Sequence, residues 1–193
     1  MKHKKWRRCL VCVFILIILV IASILILRIE HKKFLKKIYP LGYSSIVSKE
    51  ASANSIDPAL VYSVIKTESN FNQDAKSKAG AVGLMQLTPD TFKWLQTKLK
   101  PEKEYTENDL YEPSINIKYG CKFLSILIQK YNNRRTALCA YNAGMGTVNS
   151  WLKDTSISSD GKSLTNIPYK ETRNYALSVE NNYKQYKELY DFD

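Results

Sequence analysis

The stretch "DPALVYSVIKTESNFNQ", residues 57–73, decides how the rest of the chain is read. Asp57 followed by Pro58 is a helix start: an acidic N-cap, then proline at the first helical position, where its missing N–H is no loss. Val61, Val64 and Ile65 then recur at helical spacing, and at 100° per residue Glu68 falls on the same stripe. A helix over 58–69 therefore carries a carboxylate on its core-facing side, in its last turn, with no basic residue on that stripe. Burial disfavours the charged form, and so does the negative end of the helix dipole. Both raise the proton affinity of Glu68 toward that of a general acid at neutral pH.

Outward from this helix the pattern stays helical. A first helix is expected over 43–54. Thr88 and Pro89 repeat the start motif for a helix running through Trp94 and Leu95. Pro113 opens "SINIKYGCKFLSILIQKY", with Ile117, Phe123, Leu124, Leu127 and Ile128 as core positions and Asn132-Asn133 as its stop. Residues 134–143 make a short helix ended by Gly144, expected as a left-handed cap. A last helix is expected from about Pro168 to Tyr190, after an exposed loop, "KDTSISSDGKSLTN" (153–166). No alternating strand pattern appears, so the fold class is mainly α. Trp94 and Trp151 read as core or rim residues.

Charge is distributed unevenly. Of the net charge of +11, residues 1–37 supply most, with ten Lys and Arg against Glu30 alone. These basic residues flank the run "CLVCVFILIILVIASILIL" (9–27) instead of interleaving with aromatics on the folded part, which argues against a nucleic-acid partner. Nineteen residues of helix span roughly 28 Å, close to the ~30 Å hydrocarbon core of a bilayer. The alternatives are a buried core helix and a cleaved signal peptide; the length of the run and the lack of an A-x-A site favour a membrane span. The expected organisation is a basic cytoplasmic N-terminus (1–8), a transmembrane helix (9–27), a basic juxtamembrane linker (28–40) and one catalytic domain (41–193). Five Lys and Arg on each side leave the positive-inside count balanced. A cytoplasmic N-terminus follows only from a domain that acts outside the membrane. Cys9 and Cys12 fall at or in the span, and Cys121 and Cys139, both in helical segments, are expected as buried free thiols.

Three segments share the neighbourhood of Glu68 in order: "ESNFNQDAKSKAGAVGLMQLTP" (68–89), "ALCAYNAGMGTV" (137–148) and "IPYKETRNY" (167–175). Together they resemble the catalytic domain of soluble-type (SLT) lytic transglycosylases, the lysozyme-like glycoside hydrolase family 23 that cleaves bacterial peptidoglycan. The resemblance covers about Ser44 to Tyr186. It implies a lysozyme-like domain with Glu68 as catalytic acid/base and Ser69 as the hydroxyl beside it. Met85 and Gln86 would line the cleft, Tyr141 and Asn142 would approach from the opposite wall, and Tyr169 and Glu171 would complete the floor. It further implies peptidoglycan strands as partner, no metal and no cofactor, and a domain that acts outside the cell membrane, so that with the apolar run 9–27 a single-pass membrane protein with its domain outward is expected. Taken singly the same residues have plainer roles: Met85 as core filling, Tyr141 as packing, Asn142 as a helix terminator and Glu171 as a charge favourable to a helix N-terminus. Two rivals remain open at this level. A hydrolase would need a second carboxylate, with Asp74 and Glu171 as candidates, and a glycan-binding protein would need none.

Overall fold

The computed structural model describes residues 14–192 in full and residues 2–13 as backbone within one helix. The expected 1–8 segment, Cys9 and Cys12 thus lie outside the fully described residues. Two compact units emerge, Met1–Pro40 and Leu41–Asp193.

The first unit is the helix α1, Lys2–Ile38. Among the described residues, Phe14–Ile38 is long and apolar enough to cross a membrane, and none of it is buried within the protein. A core helix would have its apolar face covered, so α1 is not one. Helical hydrogen bonding also continues past the apolar run: residues 28–38 of the expected linker are helix, because Lys and Arg are good helix formers and no Gly or Pro interrupts before Pro40.

The second unit is built of helices α2 (Ser44–Ala53), α3 (Pro58–Ser69), α4 (Pro89–Leu99), α5 (Pro113–Tyr131), α6 (Arg134–Ala143), α7 (Met145–Trp151) and α8 (Lys170–Leu189), with a 3₁₀ turn at Glu107–Tyr111. The start signals act as their chemistry requires. Asp57 accepts a hydrogen bond from the Ala59 N–H at 2.9 Å, Thr88 from Thr91 and Asn133 from Thr136. Asn70, Lys100 and Asn132 close α3, α4 and α5 in left-handed geometry. The last helix begins at Lys170, two residues later than expected, because Tyr169 is extended.

Gly144 departs from its expected role. Its φ of 85° and ψ of 149° are not a left-handed cap but a region open essentially to glycine alone. It ends α6 and directly begins α7, a helix the periodicity does not announce, since seven residues containing Gly146 and β-branched Val148 carry too short a pattern.

α3 packs chiefly against α8, and α6 bridges α5 and α8. Their shared core contains Val61, Val64 and Ile65 of α3, Leu124 and Leu127 of α5, Leu138 and Ala140 of α6, and Ala176 and Val179 of α8, all fully buried. Cys121 and Cys139 are free and buried in this core. The segment 75–87 between α3 and α4 forms no strand; two isolated antiparallel bridges, Lys76 to Val82 and Val82 to Leu87, fold it into a compact loop. One buried side chain fixes that loop. Asn116 of α5 accepts from the Met85 N–H at 2.8 Å and donates to the carbonyls of Val82 (2.9 Å) and Leu110 (2.8 Å).

Candidate active site

α3 carries Glu68 to its last turn, and the three apolar residues of its stripe seat it against the core. The residue as a whole is half-buried. Burial pushes it up to about 7, and the phenol of Tyr175, on α8, pulls it back down in part. Among the described residues no ion pair and no carboxylate acts on it.

Two tyrosines face this carboxyl. Tyr141 of α6 and Tyr175 of α8 stack nearly parallel, 9° apart with centroids at 6.4 Å. Burial first, and the nearby Glu68 next, raise both phenols well above their ordinary value, so both remain protonated donors. Tyr141 uses its proton on the Met85 carbonyl at 2.7 Å. Tyr175 has no partner of strict hydrogen-bond geometry, and the acceptor in its reach is Glu68. Tyr175 lies within the segment that carries the family resemblance, yet nothing in its spacing marks it: it meets Glu68 only through the packing of α3 on α8.

Ser69 does not present a free hydroxyl. Its Oγ lies 2.9 Å from the Leu84 carbonyl and 3.2 Å from that of Ile65, tying the end of α3 to the 82–87 loop. The Met85 side chain is fully buried, with its sulfur where a Cβ on Gly120 would have to stand; a glycine in α5 makes room for it. Gln86, at a φ of 48°, turns its amide back onto the carbonyls of Ala75 (3.0 Å) and Gly83 (2.9 Å). Apolar burial thus holds the Met85 side chain, and backbone carbonyls hold the Gln86 amide. Asn142 accepts from the Thr172 hydroxyl at 2.7 Å, which joins the end of α6 to the start of α8. Tyr169 is 57% exposed, its ring edge-on to Trp151 at 5.0 Å, and Glu171 is exposed in the first turn of α8. Among the described residues no hydrogen bond or ring contact joins either to Glu68. The described residues contain no cluster of His, Cys, Asp and Glu suited to a metal ion.

Replacing Tyr175 by Phe removes the one donor that favours the ionised carboxyl. The Glu68 titration, followed by carbon NMR, is expected to move above 7 in Tyr175→Phe; a downward move would show that the phenol acts otherwise.

The arrangement is a half-buried glutamate of raised proton affinity at a helix end, framed by two phenols in an all-helical domain. The profile of the family described as Transglycosylase SLT domain matches residues 45–164, more than half the chain, and the chain belongs to that family. It is 32% identical over 147 residues to the soluble lytic murein transglycosylase of Salmonella typhimurium, a match covering 75% of this chain and 23% of that one. It is 31% identical over 170 residues to the membrane-bound lytic murein transglycosylase C of Histophilus somni, covering 75% and 46%. Among solved structures, an inactive mutant of lytic transglycosylase Slt from Pseudomonas aeruginosa, carrying a glutamate-to-glutamine change, superposes with a TM-score of 0.70 at 34% identity over 80% of this chain and 25% of that one. The 70-kDa soluble lytic transglycosylase of Escherichia coli gives 0.71 at 28% over the same shares. The chain spans about a quarter of the length of these soluble relatives and under half of the membrane-bound one. The fold is mainly α and lysozyme-like.

Proposed function

We propose that this protein is a membrane-anchored peptidoglycan lytic transglycosylase. It cleaves the β-1,4 bond between MurNAc and GlcNAc without water, leaving 1,6-anhydroMurNAc ends, and Glu68 serves both halves of the reaction. The observation that carries this is the Glu68 carboxyl, held near 7 by burial, with no carboxylate among the described residues acting on it. Protonated, it gives its proton to the bridging oxygen as the bond breaks. Positive charge then builds on the muramic acid ring, where the substrate's own N-acetyl oxygen and the dipoles of the site stabilise it. Glu68, now ionised and steadied by Tyr175, takes the proton of the C6 hydroxyl as that oxygen closes on C1. Because the nucleophile belongs to the substrate, ring closure gains from proximity and no water has to be positioned.

A hydrolase remains the second reading, and its candidates are placed poorly for it: Asp74 and Glu171 are both exposed. Ser69, Met85, Gln86, Tyr141 and Asn142 support the cleft mainly by holding its walls, while Tyr169 and Glu171 are proposed to meet the glycan at its rim. The anchor is α1, with the N-terminus in the cytoplasm and the domain outside, where peptidoglycan lies; a membrane-bound relative and the exposed apolar residues of α1 support this. Incubating the full chain in detergent micelles with purified peptidoglycan is expected to release soluble muropeptides. Binding without release would leave a glycan-binding protein in its place.

A further inference from the structure

Helix α1 does not stop where its apolar run stops. Residues 9–27 already match the thickness of the hydrocarbon core, and residues 28–38 continue the same helix beyond it. That extension is two-faced. At 100° per residue Arg28, Lys32, Lys33, Lys36 and Lys37 fall on one half of the circumference, with Ile29 among them. Phe34, Leu35 and Ile38 fall within an arc of about 100° on the other half, with His31 between them. Phe34 is 59% exposed and Ile38 40%, so the protein leaves much of this apolar stripe open. Glu30, the one acidic residue of the extension, is held by Lys33 at 2.8 Å, whereas Arg28, Lys32 and Lys37 have no ion pair among the described residues.

Cations on this side of the span carry a cost. With the domain outside, five Lys and Arg are translocated, against the bias that keeps such residues in the cytoplasm. The bilayer surface offers them a compensating partner. Side chains of an α-helix lean toward its N-terminus, which for this segment is the direction of the bilayer. The cations span about 14 Å of helix axis, and long stems leaning that way return their charges to headgroup level. A basic face opposite an apolar stripe is also the pattern of helices that settle at the boundary between headgroups and acyl chains.

We propose that residues 28–38 are a second membrane contact, selective for anionic lipid. Arg28, Lys32, Lys33, Lys36 and Lys37 bind phosphate headgroups of net negative charge, while Phe34, Leu35 and Ile38 sit at the acyl boundary beside them. This rests on the proposed anchoring by α1. The span alone requires hydrocarbon of the right thickness and is indifferent to headgroup charge; the extension makes the anchor discriminate.

The test uses the full-length chain carrying Trp6→Phe and Phe34→Trp, reconstituted in vesicles of three parts phosphatidylcholine to one part phosphatidylglycerol. The chain with Trp6→Phe alone supplies the background from Trp94 and Trp151. One lipid or the other carries brominated acyl chains, which quench tryptophan emission on contact. Phosphatidylglycerol is expected to be enriched about fivefold over its bulk share around position 34. The enrichment is expected to vanish when Lys32, Lys33, Lys36 and Lys37 are all replaced by Gln, which keeps the helix, and to shrink in about 0.5 M salt. Equal quenching by the two lipids, or a preference that survives the four Gln substitutions, would overturn the site and leave the anchor intact. Absence of quenching by either lipid would place the segment outside the bilayer and overturn the site as well. A chain released from the vesicles by alkaline carbonate would remove the anchor, and the site with it.

Discussion

Glu68→Gln is expected to lower the rate of peptidoglycan cleavage by between about 10² and 10⁴-fold, the range that general acid–base catalysis supplies, while making the protein more stable. The second half is the less obvious one. Burial raises this carboxyl from an ordinary value of 4.5 to about 7, so between those values the folded chain holds a proton that the unfolded chain has released. Stability therefore falls as pH climbs through that window, by on the order of 3 kcal/mol once both states are ionised. Glutamine has no proton to lose and is not subject to this fall. In urea titrations Glu68→Gln is expected to exceed the parent by roughly 2–3 kcal/mol near pH 8, and to match it near pH 4, below both values. A variant less stable than the parent near pH 8 and equal to it near pH 4 would show that the carboxyl is held by contacts favouring its charged form. Among the described residues Tyr175 is the one group that acts in that direction.

Asn116→Ala is expected to be the most damaging single substitution outside Glu68. The side chain is fully buried and bonds three backbone groups from two separate segments: the N–H of Met85 and the carbonyls of Val82 and Leu110, of which the Val82 carbonyl also accepts from the Leu87 N–H at 3.1 Å. Alanine leaves the Met85 N–H and the Leu110 carbonyl without this partner in the interior and takes one of two donors from the Val82 carbonyl. At about 1–3 kcal/mol for each of these two groups, partly relieved by local adjustment, the loss is on the order of 2–4 kcal/mol in a urea titration. Activity is expected to fall as well, because the same loop presents the carbonyl that Tyr141 holds at 2.7 Å. A loss below about 1 kcal/mol would mean that the loop is fixed by its apolar residues alone, with Leu84, Met85 and Leu87 enough to seat it.

The contrast between these two residues indicates what the sequence makes legible. Glu68 stands out because one helix contains the whole signal: an apolar stripe, a start motif and a carboxylate out of place. The helices themselves are readable for the same reason, since Asp57, Thr88, Asn132 and Asn133 act locally. Asn116 sits just as clearly on the face of α5 that holds Tyr119, Gly120 and Phe123, but its partners lie 6 to 34 residues away and no periodicity joins them. Tyr175 is hidden in the same way, since its relation to Glu68 exists only when α8 lies on α3. Met85 and Gln86 mark the opposite difficulty. Motif position identifies them, yet which way each side chain turns depends on the space left by Gly120 and on nearby carbonyls that need donors. Helix α7 is short enough that its length, more than its composition, conceals it.

The most direct test of non-hydrolytic cleavage is mass spectrometry of the muropeptides released from purified peptidoglycan by the full-length chain in water enriched in the heavy oxygen isotope. Transglycosylation by Glu68 predicts products lighter by one water than their hydrolytic counterparts, without a reducing end and without the heavy isotope. Reducing-end products carrying the heavy oxygen would contradict it, make the protein a hydrolase and direct attention to Asp74 and Glu171 as the group that activates water.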